Sequence, residues 1–211
     1  MKRYVIGDVH GELIKLKSLL GKINFDYQSD FLISLGDLVD RGEDSMGVIL
    51  ELIRINNLIS IKGNHDQMFY EWFSGGKIWD TRTATQYLSL PIKEKNKIIN
   101  FLNKQILYYA DKDRLFVHAG VNENKTLAEQ SINDFTWNNI IVENAIFNES
   151  FKLPQGFNTI FVGHTPTISF GNFLSYPQLL GDKIWCMDTG ACYDGGKLSI
   201  MNIDSMEIFQ I

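Results

Sequence analysis

Apolar residues along the chain come in short runs, each closing on a compact polar motif. Tyr4-Val5-Ile6 runs into Gly7-Asp8, Phe31-Leu32-Ile33-Ser34-Leu35 into Gly36-Asp37, and Leu58-Ile59-Ser60-Ile61 stops just before Gly63-Asn64. Between these runs apolar positions recur at helical spacing: Leu13, Leu16, Leu19 and Leu20, then Met46, Ile49, Leu50 and Ile53. Runs this short read as buried strands, and the spaced sets as amphipathic helices. Gly21 is the expected end of the first helix, and Asp44 the expected N-cap of the second. The resulting βαβαβ opening predicts right-handed crossovers and a largely parallel start to a sheet. In such sheets ligands sit outside the carboxyl ends of the strands.

The pattern changes over residues 66–110. Gly75-Gly76 interrupts one segment, and Pro91 opens a helical one carrying Ile98, Ile99, Leu102 and Ile106. This stretch is expected to be a mostly helical insertion beside the site. Strand-like runs then return at Leu115-Phe116-Val117, Thr159-Ile160-Phe161-Val162, Ile184-Trp185-Cys186-Met187 and from Leu198 to Ile203. The expectation is a single α/β domain over residues 1–211.

Composition narrows the classes. A hydrophobic content of 45% and a charged content of 21% are those of a globular chain, not a disordered one. A net charge of -5 argues against a general nucleic-acid binder, which needs surplus Lys and Arg. Two cysteines, Cys186 and Cys192, are too few for a disulfide framework and read as core thiols. Only three apolar residues follow the basic start, too short a stretch for a signal peptide, so a cytoplasmic protein with no membrane partner is expected. Trp72, Trp79, Trp137 and Trp185 read as packing residues.

The histidines carry the chemistry. All four, His10, His65, His118 and His164, follow a strand-like run by one to four residues and sit in glycine-containing turns. If those turns share one edge, the imidazoles converge, and Asp8 and Asp37 obey the same rule. Asp8, His10, Asp37, Asn64, His118 and His164 then form a candidate bimetal set of two carboxylates, one amide oxygen and three imidazoles. That mixture suits Mn²⁺, iron or Zn²⁺ better than Ca²⁺. Two divalent cations against two carboxylates leave a positive surplus that a phosphate would complement. Two adjacent cations also lower the pKa of a shared water, giving a hydroxide for in-line attack on phosphorus.

The strings Gly7-Asp8-Val9-His10-Gly11, Gly36-Asp37-Leu38-Val39-Asp40-Arg41-Gly42 and Gly63-Asn64-His65-Asp66 resemble the signature of the calcineurin-like metallophosphoesterases, PPP-type. His118-Ala119-Gly120 and Gly163-His164-Thr165-Pro166 follow in the order of that family. Phe135-Thr136-Trp137-Asn138 and Asp188-Thr189-Gly190 are most similar to the small lambda-type serine/threonine phosphatases of phage and bacteria. The resemblance implies a two-sheet β-sandwich flanked by helices. It implies that Asp8 and His10 bind a first metal, that Asp37 bridges both, and that Asn64, His118 and His164 bind the second, with Mn²⁺ the expected ion. It further implies His65 as the acid for the leaving oxygen, Asp40 as its orienting partner, and Arg41, with Asn64 and His65, as the phosphate grip. Asp188 is expected at a strand end, outside the ligand set.

One position departs from the lambda type. There the Trp-Asn pair is followed by an arginine that grips phosphate, whereas here Asn139 follows Trp137-Asn138, and no arginine occurs after Arg114. A lost charged clamp weakens phosphate binding by about 1.5–3 kcal/mol. Arg82, in the insertion, is the one candidate replacement. The implied activity is hydrolysis of phosphomonoesters, foremost phosphoserine and phosphothreonine in proteins. The alternatives are a symmetrical dinucleoside-tetraphosphate hydrolase, whose members typically carry Ala where this chain has Asp40, and a metal-binding module with little activity.

Overall fold

The computed structural model describes residues 1–147, 149–171 and 174–211. In chain order the elements are β1 (Arg3–Ile6), α1 (Leu13–Lys22), β2 (Phe31–Ser34), α2 (Ser45–Leu52), β3 (Asn57–Ser60), α3 (Asn64–Phe73), α4 (Thr81–Ser89) and α5 (Ile92–Lys104). They continue with β4 (Tyr108–Asp111), β5 (Arg114–Val117), α6 (Ile132–Thr136), α7 (Ile140–Ile146), β6 (Thr159–Val162), β7 (Gln178–Leu180), β8 (Ile184–Cys186), β9 (Ser199–Asn202) and β10 (Ile208–Gln210). Two five-stranded mixed sheets result, in the orders β10-β9-β1-β2-β3 and β4-β5-β6-β8-β7.

Strand alternation explains the layering. Val5, Ile33, Phe116, Phe161 and Trp185 face one another between the sheets. Their neighbours Tyr4, Ile6 and Leu32 turn outward onto α1 and α2, and Leu115, Val117, Ile160 and Val162 turn outward onto α6 and α7. This period of two is what a pleated strand imposes. Phe116 and Phe161 stack at 4.7 Å across adjacent strands at the centre of the inter-sheet layer. The fold is therefore α/β, two sheets face to face with helices outside, as the sequence resemblance implies.

The parallel strands align their carboxyl ends. Ile6, Ser34 and Ser60 lie in register at the ends of β1, β2 and β3. Val162 and Cys186 pair at the ends of β6 and β8, beside β5. Every candidate ligand loop therefore leaves the same edge of the sandwich.

Several local expectations need correction. β4, β7 and β10 were not expected; each is a sheet edge with mixed burial, so its apolar signal is weak. β4 takes the last residues of the stretch expected to be a helical insertion, which is helical only to Lys104. Ile106 lies beyond α5 and forms a single parallel bridge with Ile61 instead of a helical contact. Gly21 does not end α1, which runs one residue further to Lys22. Asp44 does cap α2, accepting the Gly47 amide at 2.7 Å.

Candidate active site

The turns after β1 and β2 are bonded to each other before any side chain enters. The Val9 and His10 amides both donate to the Asp37 carbonyl at 3.1 and 2.9 Å, and the Gly11 amide donates to the Leu38 carbonyl at 2.9 Å. This close approach forces unusual backbone. His10, Asp37, Asp40, Arg41 and His164 all adopt the left-handed region, with φ of 42°, 50°, 68°, 67° and 64°. They are five of the nine non-glycine residues with positive φ among the described residues. Each costs about 1–2 kcal/mol relative to a right-handed turn, and such strain gathers where function fixes a side chain's direction. Glycines admit the contacts. A Cβ on Gly63 would stand 2.1 Å from Asp37 Oδ1, and one on Gly163 the same distance from Asp8 Oδ1.

The side chains then converge. Asp8 accepts the His164 amide with both carboxylate oxygens, at 3.1 and 3.0 Å, which joins the two sheets. Asp37 Oδ1 accepts the His65 amide at 2.9 Å. Asp37 stands between two imidazoles, with Oδ2 3.5 Å from His10 Nε2 and Oδ1 3.4 Å from His118 Nε2. Asn64 Oδ1 lies 2.9 Å from His118 Nε2 and 3.1 Å from His164 Nδ1. His65 Nδ1 meets Asp40 Oδ2 at 2.7 Å, and Arg41 Nη2 donates to His65 Nε2 at 3.2 Å. All nine candidate residues, Asp8, His10, Asp37, Asp40, Arg41, Asn64, His65, His118 and His164, thus belong to one connected cluster.

The donor chemistry fits two cations. Donor atoms of His10, Asp37 and His65 lie within 4.8 Å of one another, as do those of Asp37, His118 and His164, whereas the Asp8 carboxylate, expected in the first set, belongs to neither group and faces the His164 amide. Nδ1 of His118 is held by the Leu35 carbonyl at 2.8 Å, and Nδ1 of His10 by the Val39 carbonyl at 2.8 Å. A neutral ring in either place donates there and aims the lone pair of Nε2 inward. For His118 that lone pair faces Asn64 Oδ1, a contact that a ring proton, a turned Asn64 amide or a cation would satisfy. Burial pushes His10 down to about 4, and burial with the adjacent His118 pushes His164 down to about 3, so both rings are neutral at ordinary pH. Burial opposes charge on Asp37 and on His118 alike, but their mutual attraction outweighs it, raising His118 and holding the Asp37 carboxyl below its usual range. Burial, then Asp188 and Asp37, drive Asp8 well above that range. Asp188 itself is pushed by burial up to about 6. Three buried carboxylates side by side form a site short of positive charge.

The cleft above these groups has a volume of about 320 Å³. Asp37, Asn64, His65 and Arg41 line it, together with two indoles. Trp79 is 65% exposed and Trp137 47% exposed, which corrects the packing role expected for both. Trp79 stands edge-on to His65 at 6.5 Å, and Trp137 edge-on to His164 at 5.9 Å. Trp72 and Trp185 do pack against buried clusters. Cys186 is buried, as expected for a core thiol, but Cys192 is only half-buried. Tyr193 was missed by sequence reasoning, and only its place just after Asp188-Thr189-Gly190 hinted at it. Its hydroxyl accepts from Arg41 Nη1 at 2.7 Å, and its ring lies 5.5 Å from the guanidinium. Arg82 does not replace the absent arginine: it is bonded to Glu43 at 2.8 Å and to the Arg41 carbonyl, outside the lined cleft. Asn139 precedes α7 and reaches Thr165 Oγ1 at 3.4 Å.

Comparison with known proteins agrees with this geometry. The Calcineurin-like phosphoesterase family profile matches residues 1–204. The serine/threonine-protein phosphatase 1 of Salmonella typhimurium is 38% identical over 93 residues, covering 40% of this chain and 43% of that protein. The match thus spans less than half the length of that relative. The asymmetrical bis(5'-nucleosyl)-tetraphosphatase PrpE of Oceanobacillus iheyensis is 28% identical over 100% of this chain and 92% of its own. Among solved structures, the cold-active protein-tyrosine phosphatase of Shewanella superposes with a TM-score of 0.67 at 18% identity, covering 99% of this chain and 77% of that one, a likeness of fold. The chain belongs to the calcineurin-like phosphoesterase family.

Proposed function

We propose that this chain is a two-cation phosphoesterase that hydrolyses phosphomonoesters, foremost those of serine and threonine in proteins. Asp8, His10 and Asp37 hold one cation, and Asp37, Asn64, His118 and His164 the other. Mn²⁺ is the expected ion, with iron or Zn²⁺ as alternatives from the same donor set. When bound, such a pair acidifies a water for attack and draws in the phosphoryl oxygens.

The chain's own groups do the rest. Arg41 presents a planar fork to the phosphoryl oxygens, braced by Tyr193. Without substrate its guanidinium donates to His65 Nε2. A phosphate is a stronger acceptor, so its arrival draws Arg41 away and leaves Nε2 able to carry a proton. His65 then passes that proton to the departing oxygen. The Asp40 carboxylate fixes the ring by accepting from Nδ1, which leaves Nε2 facing the cleft. The Asn64 amide NH₂ donates to the phosphoryl group while its oxygen faces the imidazoles.

The observation that carries this reading is the 2.7 Å contact between His65 and Asp40 at the cleft. A serine or threonine alkoxide is a poor leaving group and needs protonation as it departs, whereas a nucleotide phosphate leaves readily without it. The second reading, hydrolysis of dinucleoside tetraphosphates, draws support from the exposed indoles of Trp79 and Trp137, which offer stacking faces for bases. The match to the Oceanobacillus relative over the whole chain supports it too. Mn²⁺-loaded protein is assayed on a phosphoserine peptide and on diadenosine tetraphosphate, each with and without chelator. Chelator-sensitive turnover is expected, with phosphate released from the peptide faster than nucleotides are released from the dinucleotide. Faster cleavage of the dinucleotide would favour the second reading, and no turnover of either would overturn the proposal.

A further inference from the structure

Asp66 and Gln105 lie behind the site and touch no part of the cleft. Asp66 is fully buried, and all its partners are donors. Its Oδ1 accepts the Leu38 amide at 2.9 Å, and its Oδ2 accepts the Gly63 amide at 3.1 Å. Leu38 follows Asp37 directly, and Gly63 directly precedes Asn64. One carboxylate thus clamps together the two loops that carry the shared carboxylate and the amide of the candidate cation set. The third donor to Asp66 is Gln105 Nε2, at 3.0 Å.

Gln105 comes from elsewhere in the fold, the residue just after α5. Its amide is anchored again by contacts to Ser60 Oγ at 3.2 Å and to the Ile61 carbonyl at 3.3 Å. Backbone bonds fix the same point, with the Ile106 amide donating to the Ser60 carbonyl at 3.1 Å and the Lys62 amide to the Ile106 carbonyl at 2.8 Å. Among the described residues Gln105 Oε1 is buried without a partner. A residue serving only to fill space at this spot would do better as an apolar side chain, since an unpaired buried oxygen costs stability. The side chain serves through its donor, whose shortest contact is to the Asp66 carboxylate.

We propose that Gln105 is a positioning residue. Through Asp66 it sets the separation of the Asp37 and Asn64 loops, and so the affinity of the pair of cations. The proposal rests on the reading of Asp37 and Asn64 as cation ligands. Gln105→Met keeps the length and volume and removes the donor. It is compared with Leu102→Ala, which destabilises the same region from the fully buried face of α5 without touching the clamp.

Two readouts are taken. Mn²⁺ affinity by titration calorimetry is expected to fall about tenfold in Gln105→Met, the lower range for a residue supporting ligands from outside, and to stay at the wild-type value in Leu102→Ala. Amide hydrogen exchange of the metal-free protein is expected to quicken at Leu38 and Gly63 relative to Leu102→Ala. If Gln105→Met does not fold, Gln105→Asn, which keeps the amide but withdraws it by one methylene, carries the same expectations. Unchanged affinity together with unchanged exchange at those amides, or equal losses in the Leu102→Ala control, would overturn the proposal. Wild-type protein that binds no Mn²⁺ would overturn the reading of the site instead, and the exchange rates alone would then decide for or against the clamp.

Discussion

The two sheets contribute unequally to the cleft. The turns after β1 and β2 and the first turn of α3 carry Asp8, His10, Asp37, Asp40, Arg41, Asn64 and His65, and four of the five left-handed residues of the site. Loops from the second sheet carry two imidazoles, Asp188, an exposed indole and, where a guanidinium would complete the grip, Asn139. The first half holds every group suited to gripping a phosphate and protonating a leaving oxygen. The second half adds two candidate imidazoles, the Tyr193 hydroxyl that holds Arg41, and the Trp137 indole. Within the site, strain follows the same division, with His164 the one left-handed residue from the second half.

That asymmetry can be broken first at His65. Changing His65→Asn should slow hydrolysis of a phosphoserine peptide by about 10²–10⁴-fold and spare an aryl phosphate with a good leaving group much more. His164→Asn, in the other half, should weaken Mn²⁺ binding and slow both substrates alike. Steady-state rates on the two substrates at saturating Mn²⁺ separate the cases. The contact that joins the halves is tested by Phe161→Ala, which empties the centre of the inter-sheet layer. It should cost about 3–5 kcal/mol in a denaturant titration.

Much of this arrangement is written in local sequence, and the reasons are physical. The central strands are legible because burial on both faces makes continuous apolar runs such as Ile160-Phe161-Val162. β4, β7 and β10 escape because an edge strand buries only part of one face, and Tyr108 and Leu179 are exposed. The loops of the candidate site stand out because close backbone approach demands glycine, as at Gly63 against Asp37 and Gly163 against Asp8. The clamp at Gln105 and the brace at Tyr193 leave no such mark. Each acts through contacts distant in the chain, from positions with no local motif. Trp79 and Trp137 are misread for a related reason: an indole in a sequence looks the same whether it faces the core or a cleft.

Sharper versions of the comparison follow from the second half. Asn139→Arg should restore a charged donor beside Thr165 and lower KM for a phosphomonoester by about tenfold, the equivalent of ~1.4 kcal/mol. An unchanged KM would show that the second half takes no part in phosphate binding. The smallest effect expected is at α6. Hydrogen bonds from Lys125 and the Ser131 backbone hold the Asp134 carboxyl down at about 2. A carboxylate held below its unfolded value stabilises the fold above about pH 4, and that contribution fades as the pH falls toward 2. Lys125 is partly exposed, so solvent screening reduces the gain. Lys125→Met should therefore lower stability by about 0.5–1 kcal/mol at pH 7, and the difference from wild type should vanish near pH 2 in thermal melts.

Anomalous scattering from crystals grown with Mn²⁺ puts the central claim to the most direct test. Two peaks are expected, one among Asp8, His10 and Asp37, the other among Asp37, Asn64, His118 and His164, with Asp37 common to both. A map with no peak among these residues, or with a single ion that leaves Asp37 untouched, would contradict the account.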